Sequence, residues 1–88
     1  MYFLEFSTKF ARAYRKLDQQ TRSQVDNTLQ LLVNTTKHPS LRLKRVQGTK
    51  DIWEISVNMS VRITLRFSEN IIKLRNVGTH DQVFKPPY

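Results

Sequence analysis

The chain has 88 residues, with 15 Lys and Arg against seven Asp and Glu, so its formal net charge is +8. A hydrophobic content of 39% is enough for one small core, so we expect a single domain over residues 1–88. The absence of cysteine excludes a disulfide scaffold, a thiolate metal site and a cysteine nucleophile. No apolar run approaches the roughly 18 residues of a membrane span, and Glu5 and Lys9 interrupt any signal-like start. These features favour a cytoplasmic protein with a polyanionic partner and no membrane contact.

The first part of the chain is predicted to form a strand and two helices. Tyr2–Phe6 reads as a short strand with alternate apolar residues on one face. Ser7 or Thr8 can then cap a helix whose apolar positions recur at the spacing i, i+4, i+7: Phe10, Tyr14 and Leu17. Asp18–Thr21 is interpreted as the break before a second amphipathic helix, which cannot continue through Pro39.

After this proline the apolar period changes from 3.6 to 2, which predicts four strands separated by short connections. These strands are Leu41–Lys44, Trp53–Val57, Val61–Phe67 and Ile71–Val77, the last one ended by Gly78. Short connections imply antiparallel neighbours. The order β-α-α-β-β-β-β predicts an α+β fold, in which two N-terminal helices pack on one face of a mostly antiparallel sheet of four to five strands.

The residues that alternate away from the helices define the other, open face of the sheet. This face is predicted to carry mainly polar and basic side chains: Arg42, Lys44, Glu54, Ser56, Arg62, Thr64, Arg66, Lys73 and Arg75. Two interpretations remain, a plain solvated surface and a basic groove that holds a phosphate backbone. Phe84 and Tyr88 are the aromatic residues that can stack on bases, whereas Trp53 is expected to pack under the sheet.

Few residues can perform chemistry. His38 precedes a proline at a helix end and is expected to have no catalytic role, whereas His80 follows the last strand and can exchange a proton near neutral pH. Two distant histidines without cysteines do not form a metal site, and no glycine-rich phosphate loop exists, so no metal or cofactor is expected.

A basic groove with one histidine suits RNA cleavage by attack of a 2′-hydroxyl on the adjacent phosphate. Fixed Arg and Lys charges stabilise the crowded anionic phosphorane. His80 can protonate the leaving 5′-oxygen, and Glu54 can assist removal of the first proton.

Three segments, taken together, resemble the RelE/ParE toxin superfamily over essentially the whole chain. They are His38–Gly48, the strand pair Trp53–Val57 and Val61–Phe67 with Arg62, and the ending Val77–Phe84. The ending is most similar to the YafQ-like branch, where a Gly-Thr-His sequence is followed four residues later by an aromatic residue.

The resemblance implies the toxin of a bacterial type II toxin–antitoxin system. RelE-like members are ribosome-dependent endoribonucleases that cut mRNA in the ribosomal A site without a metal ion, so the implied partners are mRNA, rRNA and a cognate antitoxin. Arg62 matches the arginine that stabilises the scissile phosphate, His80 the general acid and Phe84 the aromatic residue that positions RNA. Phe84 and the basic residues of the open face, Arg42, Lys44, Arg66 and Arg75, are the predicted RNA- or phosphate-binding residues, and of these cations only Arg42 and Lys44 loosely match the family's basic strand.

Three positions depart from the family pattern. Glu54 and Ser56 stand where RelE-type toxins carry lysines, so Glu54 is either a proton acceptor or a salt-bridge partner of Arg62. Asn76 stands where YafQ-like toxins carry an arginine, and the adjacent Arg75 would point to the opposite face of a regular strand. Two other functions stay open: inhibition of DNA gyrase, as in the ParE branch, and non-catalytic RNA binding.

Overall fold

A five-stranded mixed sheet organises the chain in the computed structural model, which describes residues 2–88. The elements in chain order are β1 (Phe3–Phe6), α1 (Thr8–Arg15), α2 (Gln19–Asn34), a 3-10 helix (Pro39–Leu41), β2 (Lys44–Arg45), β3 (Trp53–Ser56), β4 (Val61–Ser68), β5 (Ile71–Thr79) and α3 (His80–Val83). The strand order is β1-β5-β4-β3-β2, in which β1 is parallel to β5 and the other neighbours are antiparallel. The predicted α+β architecture is confirmed.

Side chains with hydrogen-bonding oxygens start both N-terminal helices. Ser7 Oγ accepts a hydrogen bond from the Phe10 N–H at 3.0 Å and donates one to the Arg75 carbonyl oxygen at 2.9 Å. Asp18 Oδ1 accepts from the Thr21 N–H at 2.7 Å, which begins α2. Ser7 therefore caps α1 and also ties the start of that helix to β5.

The core lies between the two N-terminal helices and the sheet. Its buried helical residues are Phe10, Val25, Leu29 and Leu32. Its buried strand residues are Ile55, Val61, Ile63, Leu65, Ile72, Leu74 and Val77. Trp53 packs against this cluster, as the alternation predicted. Phe6 was expected to share the apolar face of its strand but is 55% exposed, because β1 is an edge strand. No helix within residues 2–88 has both the length and the apolar character needed to cross a lipid bilayer.

The predicted strand Leu41–Lys44 is wrong. Leu41 ends a 3-10 helix and is buried, and Arg42 follows it with a left-handed φ of 51°. The strand itself contains only Lys44–Arg45. Apolar alternation suggested a strand here, but Pro39 fixes the φ that starts a helical turn, and His38 Nδ1 accepts from the Ser40 N–H at 3.2 Å. Arg42 therefore does not belong to the strand that carries Lys44.

The last strand does not end at Gly78 but continues through it to Thr79, and α3 follows directly. Gly78 is opposite Arg62 in the ladder. A β-carbon at this position would lie 2.5 Å from Gln82 Oε1, so the missing side chain lets α3 lie close to the sheet. The helix was not predicted, although Thr79 and Gln82 have the spacing of a capping box.

The predicted open face is covered at its centre. Glu54, Thr64 and Asn76 form a continuous cross-strand row over β3, β4 and β5, and all three are buried. The cover comes from α3, which contacts β4 and β5 and buries Val83. The predicted solvent-exposed face is therefore wrong for the centre of the sheet. Polar side chains of this face are accessible to solvent only where α3 does not cover them.

Candidate active site

A groove of about 700 Å³ opens beside α3. Lys44, Glu54, His80 and Phe84 line it, so the fold brings together four of the predicted site residues from β2, β3 and the end of the chain. The remaining lining comes from the turn at residues 46–49 and from Tyr88. We call this cavity the α3 groove.

His80 is the first residue of α3, and its side chain is 71% exposed. The capping box orients the helix, because Gln82 Oε1 accepts from the Thr79 N–H at 2.8 Å. The His80 and Phe84 rings meet edge to face with centroids 4.4 Å apart, as expected for residues one helical turn apart. His80 Nδ1 is 3.8 Å from Asp81 Oδ1. The imidazole is therefore held by an aromatic edge while it remains accessible to a bound group.

Glu54 and Lys44 face each other across β3 and β2. Lys44 Nζ is 3.9 Å from Glu54 Oε1, and the Glu54 side chain is only 12% exposed. This distance is beyond the roughly 3.2 Å of a good hydrogen bond, so the lysine is free to contact another anion. The alternative ion pair between Glu54 and Arg62 does not form among the described residues, where Lys44 is the cation nearest to this carboxylate.

Arg62 and Arg42 line a different groove, of about 370 Å³, next to the β3–β4 turn. The Arg62 guanidinium donates to the Asn58 carbonyl oxygen at 2.6 Å and to the Val61 carbonyl oxygen at 3.1 Å. The Arg62 backbone is nevertheless paired with Gly78, two residues before the catalytic candidate His80. The Arg62 backbone is therefore close in the sheet to the residues that begin α3. In this conformation, however, the Arg62 side chain does not line the α3 groove.

Arg66 lies away from the α3 groove. Its Nε is 3.1 Å from Asp51 Oδ2, and both side chains are substantially exposed. Arg66 is opposite Lys73 on β5, so these two cations extend the sheet face in the direction away from His80. The structure thus does not bring Arg66 together with the other predicted site residues.

A β-bulge changes the interpretation of Arg75. Thr64 pairs with Asn76 and Leu65 pairs with Leu74, which leaves Arg75 as the extra residue on β5. Simple alternation placed Arg75 on the open face beside Lys73, but the bulge gives the position opposite Thr64 to Asn76. Its guanidinium donates to the Tyr88 carbonyl oxygen at 2.8 Å, and Tyr88 lines the α3 groove. Arg75 acts on this groove through the last segment, a role that no local sequence signal indicates.

Within the part of the chain that the structure describes, residues 2–88, no group of three or more His, Asp or Glu side chains is arranged to hold a metal ion. The charged and imidazole side chains that line the α3 groove are Glu54, His80, Lys44 and Arg45, and Asp81 lies beside His80 without lining the groove.

No protein-family model and no curated protein matches the chain significantly. Solved structures do match it. YafQ from Escherichia coli strain BL21(DE3) superposes with a TM-score of 0.80 at 14% identity, over 97% of this chain and 100% of that chain. The toxin–antitoxin complex RelBE of E. coli gives 0.71 at 22% identity, over 90% and 96%. The YoeB dimer of Staphylococcus aureus gives 0.75 at 13% identity, over 90% and 97%.

These superpositions cover at least 90% of each chain, so the likeness extends over nearly the whole fold. At such low identity the likeness concerns the fold. The chain therefore has the fold of YafQ, RelE and YoeB, which is the fold that the resemblance implied.

Proposed function

We propose that this chain is the toxin of a type II toxin–antitoxin system and cleaves mRNA in the A site of the ribosome. The observation that carries this proposal is the α3 groove, where His80, Phe84, Glu54 and Lys44 converge. The net charge of +8 favours an RNA partner. The similarity of fold to YafQ, RelE and YoeB adds support.

The proposed reaction transfers the phosphate within the RNA. The 2′-oxygen attacks the adjacent phosphorus, the bond from phosphorus to the 5′-oxygen breaks, and the products are a 2′,3′-cyclic phosphate and a 5′-hydroxyl. Glu54 accepts the proton of the 2′-hydroxyl, and protonated His80 donates a proton to the leaving 5′-oxygen. Neither proton transfer calls for a metal ion. DNA lacks the 2′-hydroxyl and is expected to bind without being cut.

The cations of the site stabilise the charge that develops on the phosphorane. Lys44 is adjacent to Glu54 and in the groove. Arg62 reaches the phosphate when its guanidinium exchanges the Asn58 carbonyl oxygen for a phosphate oxygen, which is the stronger, charge-assisted partner. Phe84 stacks on a base next to the scissile bond. Arg42, beside Arg62, contacts the flanking backbone, as does Arg66 farther along the sheet.

The proposed protein partner is a cognate antitoxin with an acidic or amphipathic segment. Such a segment complements the basic surface around the α3 groove and excludes mRNA from it. The RelBE complex, which has the same toxin fold, is a toxin–antitoxin complex. Action on translating ribosomes places the protein in the cytoplasm.

Cell-free translation followed by primer extension on the mRNA tests the function. Purified protein should produce cuts only when ribosomes are translating, and His80→Gln should abolish them. His38→Gln is the matched control, because His38 hydrogen-bonds Ser40 outside the groove. Cuts that persist in His80→Gln would remove His80 from the mechanism. Intact mRNA with normal translation would overturn the nuclease proposal, and inhibition of gyrase supercoiling would then assign the ParE-type function.

A further inference from the structure

A second basic groove lies on the opposite side of α3. It measures about 490 Å³ and lies between α1 and the end of β5. His80 and Phe84 line the α3 groove, whereas Gln82 lines this second one, so the short helix forms a ridge between the two. We call the second cavity the α1 groove. Its cations are Lys9, Arg12 and Lys16.

The fold creates this groove because β1 is shorter than β5. β1 pairs with β5 only as far as Phe6 and Leu74, and Ser7 then turns the chain into α1. The helix takes the place of β1 beside Asn76 and Val77. Lys9 and Arg12 lie on α1 and Lys16 is its C-cap residue. Their spacing of i, i+3 and i+7 puts the three cations on one side of the helix, where they line the groove.

The charges of the α1 groove are not compensated locally. Lys9, Arg12 and Lys16 are all exposed. Within residues 2–88, no carboxylate oxygen lies within 4.0 Å of the side-chain nitrogens of Arg12 or Lys16. Lys9 Nζ donates to the Pro87 carbonyl oxygen at 3.1 Å, so it also holds the last segment against α1. Cations that lie in a row in a concave surface and lack a carboxylate partner attract a polyanion.

The lining residues indicate which polyanion fits. No aromatic side chain of the described residues lines the α1 groove, so it offers no platform for base stacking. Its apolar members Ala13 and Leu17 already pack against the core, which leaves no exposed anchor pocket for a protein partner. Lys9 and Lys16 are about 10 Å apart along the helix axis. Cations spread over this length can contact more than one phosphate of a strand at the same time.

We propose that the α1 groove binds the phosphate backbone of an RNA helix that the protein does not cut. The identity of this helix rests on the proposed function: it belongs to structured RNA next to the scissile strand. The scissile strand itself occupies the α3 groove on the other side of the ridge. Binding through phosphates alone is independent of sequence and recognises the RNA by its shape. The ridge of α3 thus separates an anchoring contact from the cutting site.

Fluorescence anisotropy with an RNA duplex of about 16 base pairs tests the proposal. All proteins carry His80→Gln, so cleavage plays no part in the result and failure of the nuclease proposal does not affect it. Arg12→Gln/Lys16→Gln is compared with Arg15→Gln/Lys37→Gln, which removes the same charge from outside both grooves. Affinities are measured over a fourfold rise in salt concentration.

The α1-groove variant should lower the slope of log affinity against log salt by about two, one for each lost phosphate contact. Its affinity at low salt should fall about tenfold or more, whereas the control variant should change by less than about threefold. Equal losses in the two variants would overturn the proposal, because net charge alone would then explain binding. No loss in either would also overturn it. Weaker binding of polyglutamate with unchanged binding of the duplex would assign the groove to an acidic protein instead.

Discussion

Gly78 and Gln82 are in such close contact that a β-carbon on the glycine would lie 2.5 Å from the Gln82 amide oxygen. The same oxygen accepts a hydrogen bond from the Thr79 N–H and closes the capping box of α3. One glycine therefore controls how closely the helix that carries His80 approaches the sheet. The geometry of the α3 groove depends on this contact as much as on the residues that line it.

Gly78→Ala is expected to destabilise the protein, because Gln82 must leave Thr79 to make room for the methyl group. The free energy of unfolding should fall by about 1–2 kcal/mol, the usual cost of a lost helix cap. Urea unfolding measures it, and mRNA cleavage should fall as His80 is displaced. Gln82→Ala removes the 2.5 Å contact and leaves only the β-carbon of residue 82, at 3.3 Å, so Gly78→Ala should cost less in the Gln82→Ala background than in the unmodified protein. An equal cost in both backgrounds would contradict the steric explanation.

Arg62→Ala should reduce mRNA cleavage by about 10²- to 10³-fold, the usual cost of removing a charge that stabilises a transition state. Circular dichroism should show a folded protein, since the lost hydrogen bonds involve only the carbonyl oxygens of Asn58 and Val61. Arg66→Ala is the comparison, because Arg66 contacts Asp51 away from His80, and its effect should be much smaller. Full activity of Arg62→Ala would contradict a contact between this guanidinium and the phosphate, and would mean that Arg62 keeps its hydrogen bonds to Asn58 and Val61 during the reaction.

Arg75 and Tyr88 should behave as one unit, since the guanidinium holds the Tyr88 carbonyl oxygen. Tyr88→Ala should raise the KM for mRNA cleavage about tenfold if its ring stacks on a base, within the 1–3 kcal/mol of such contacts. Arg75→Gln should raise KM in the same direction, and the double variant should add little to Tyr88→Ala. Tyr88→Phe keeps both the ring and the backbone contact and should resemble the unmodified protein. If the effects of the two substitutions on KM were additive, Arg75 would not act through Tyr88.

Thr64→Val is expected to leave stability unchanged or to increase it by about 1 kcal/mol. Thr64 is fully buried, and its Oγ1 has no hydrogen-bond partner among residues 2–88, so the substitution removes an unpaired polar atom at nearly constant shape. Urea unfolding measures the change. Thr64→Ser, which keeps the hydroxyl and removes the methyl group, should be destabilising. A loss of stability in Thr64→Val would mean that Oγ1 has a partner in solution, such as a buried water.

The cap of α2 should make stability depend on acidic pH. The hydrogen bond from Thr21 lowers the pKa of Asp18 below its ordinary value of 3.8. Because the folded-state pKa is the lower one, the cap stabilises the protein above the ordinary value and is lost as pH falls through the folded-state pKa. The difference in Tm between the unmodified protein and Asp18→Ala should thus be constant near neutral pH and shrink in strong acid. A constant difference down to the lowest pH would exclude the carboxylate as its source.

Local patterns alone predicted most of the secondary structure. The alternation in Val61–Phe67 and the apolar spacing of the helices identified these elements, because side chains repeat every two residues in a strand and every 3.6 in a helix. Short connections predicted the antiparallel neighbours. Pattern also selected His80 and Phe84 as site candidates, and their helical spacing keeps the two rings in contact.

Only the tertiary structure decided the arrangement of the site. The parallel pairing of β1 with β5 and the bulge at Arg75 arise between segments far apart in the chain, where local periodicity carries no information. The same holds for the burial of Thr64 under α3 and for the hydrogen bond that turns Arg62 toward Asn58. Sequence determines which side chains an element presents. Strand register and packing decide which of them meet, because those free energies depend on contacts that form only after the chain has folded.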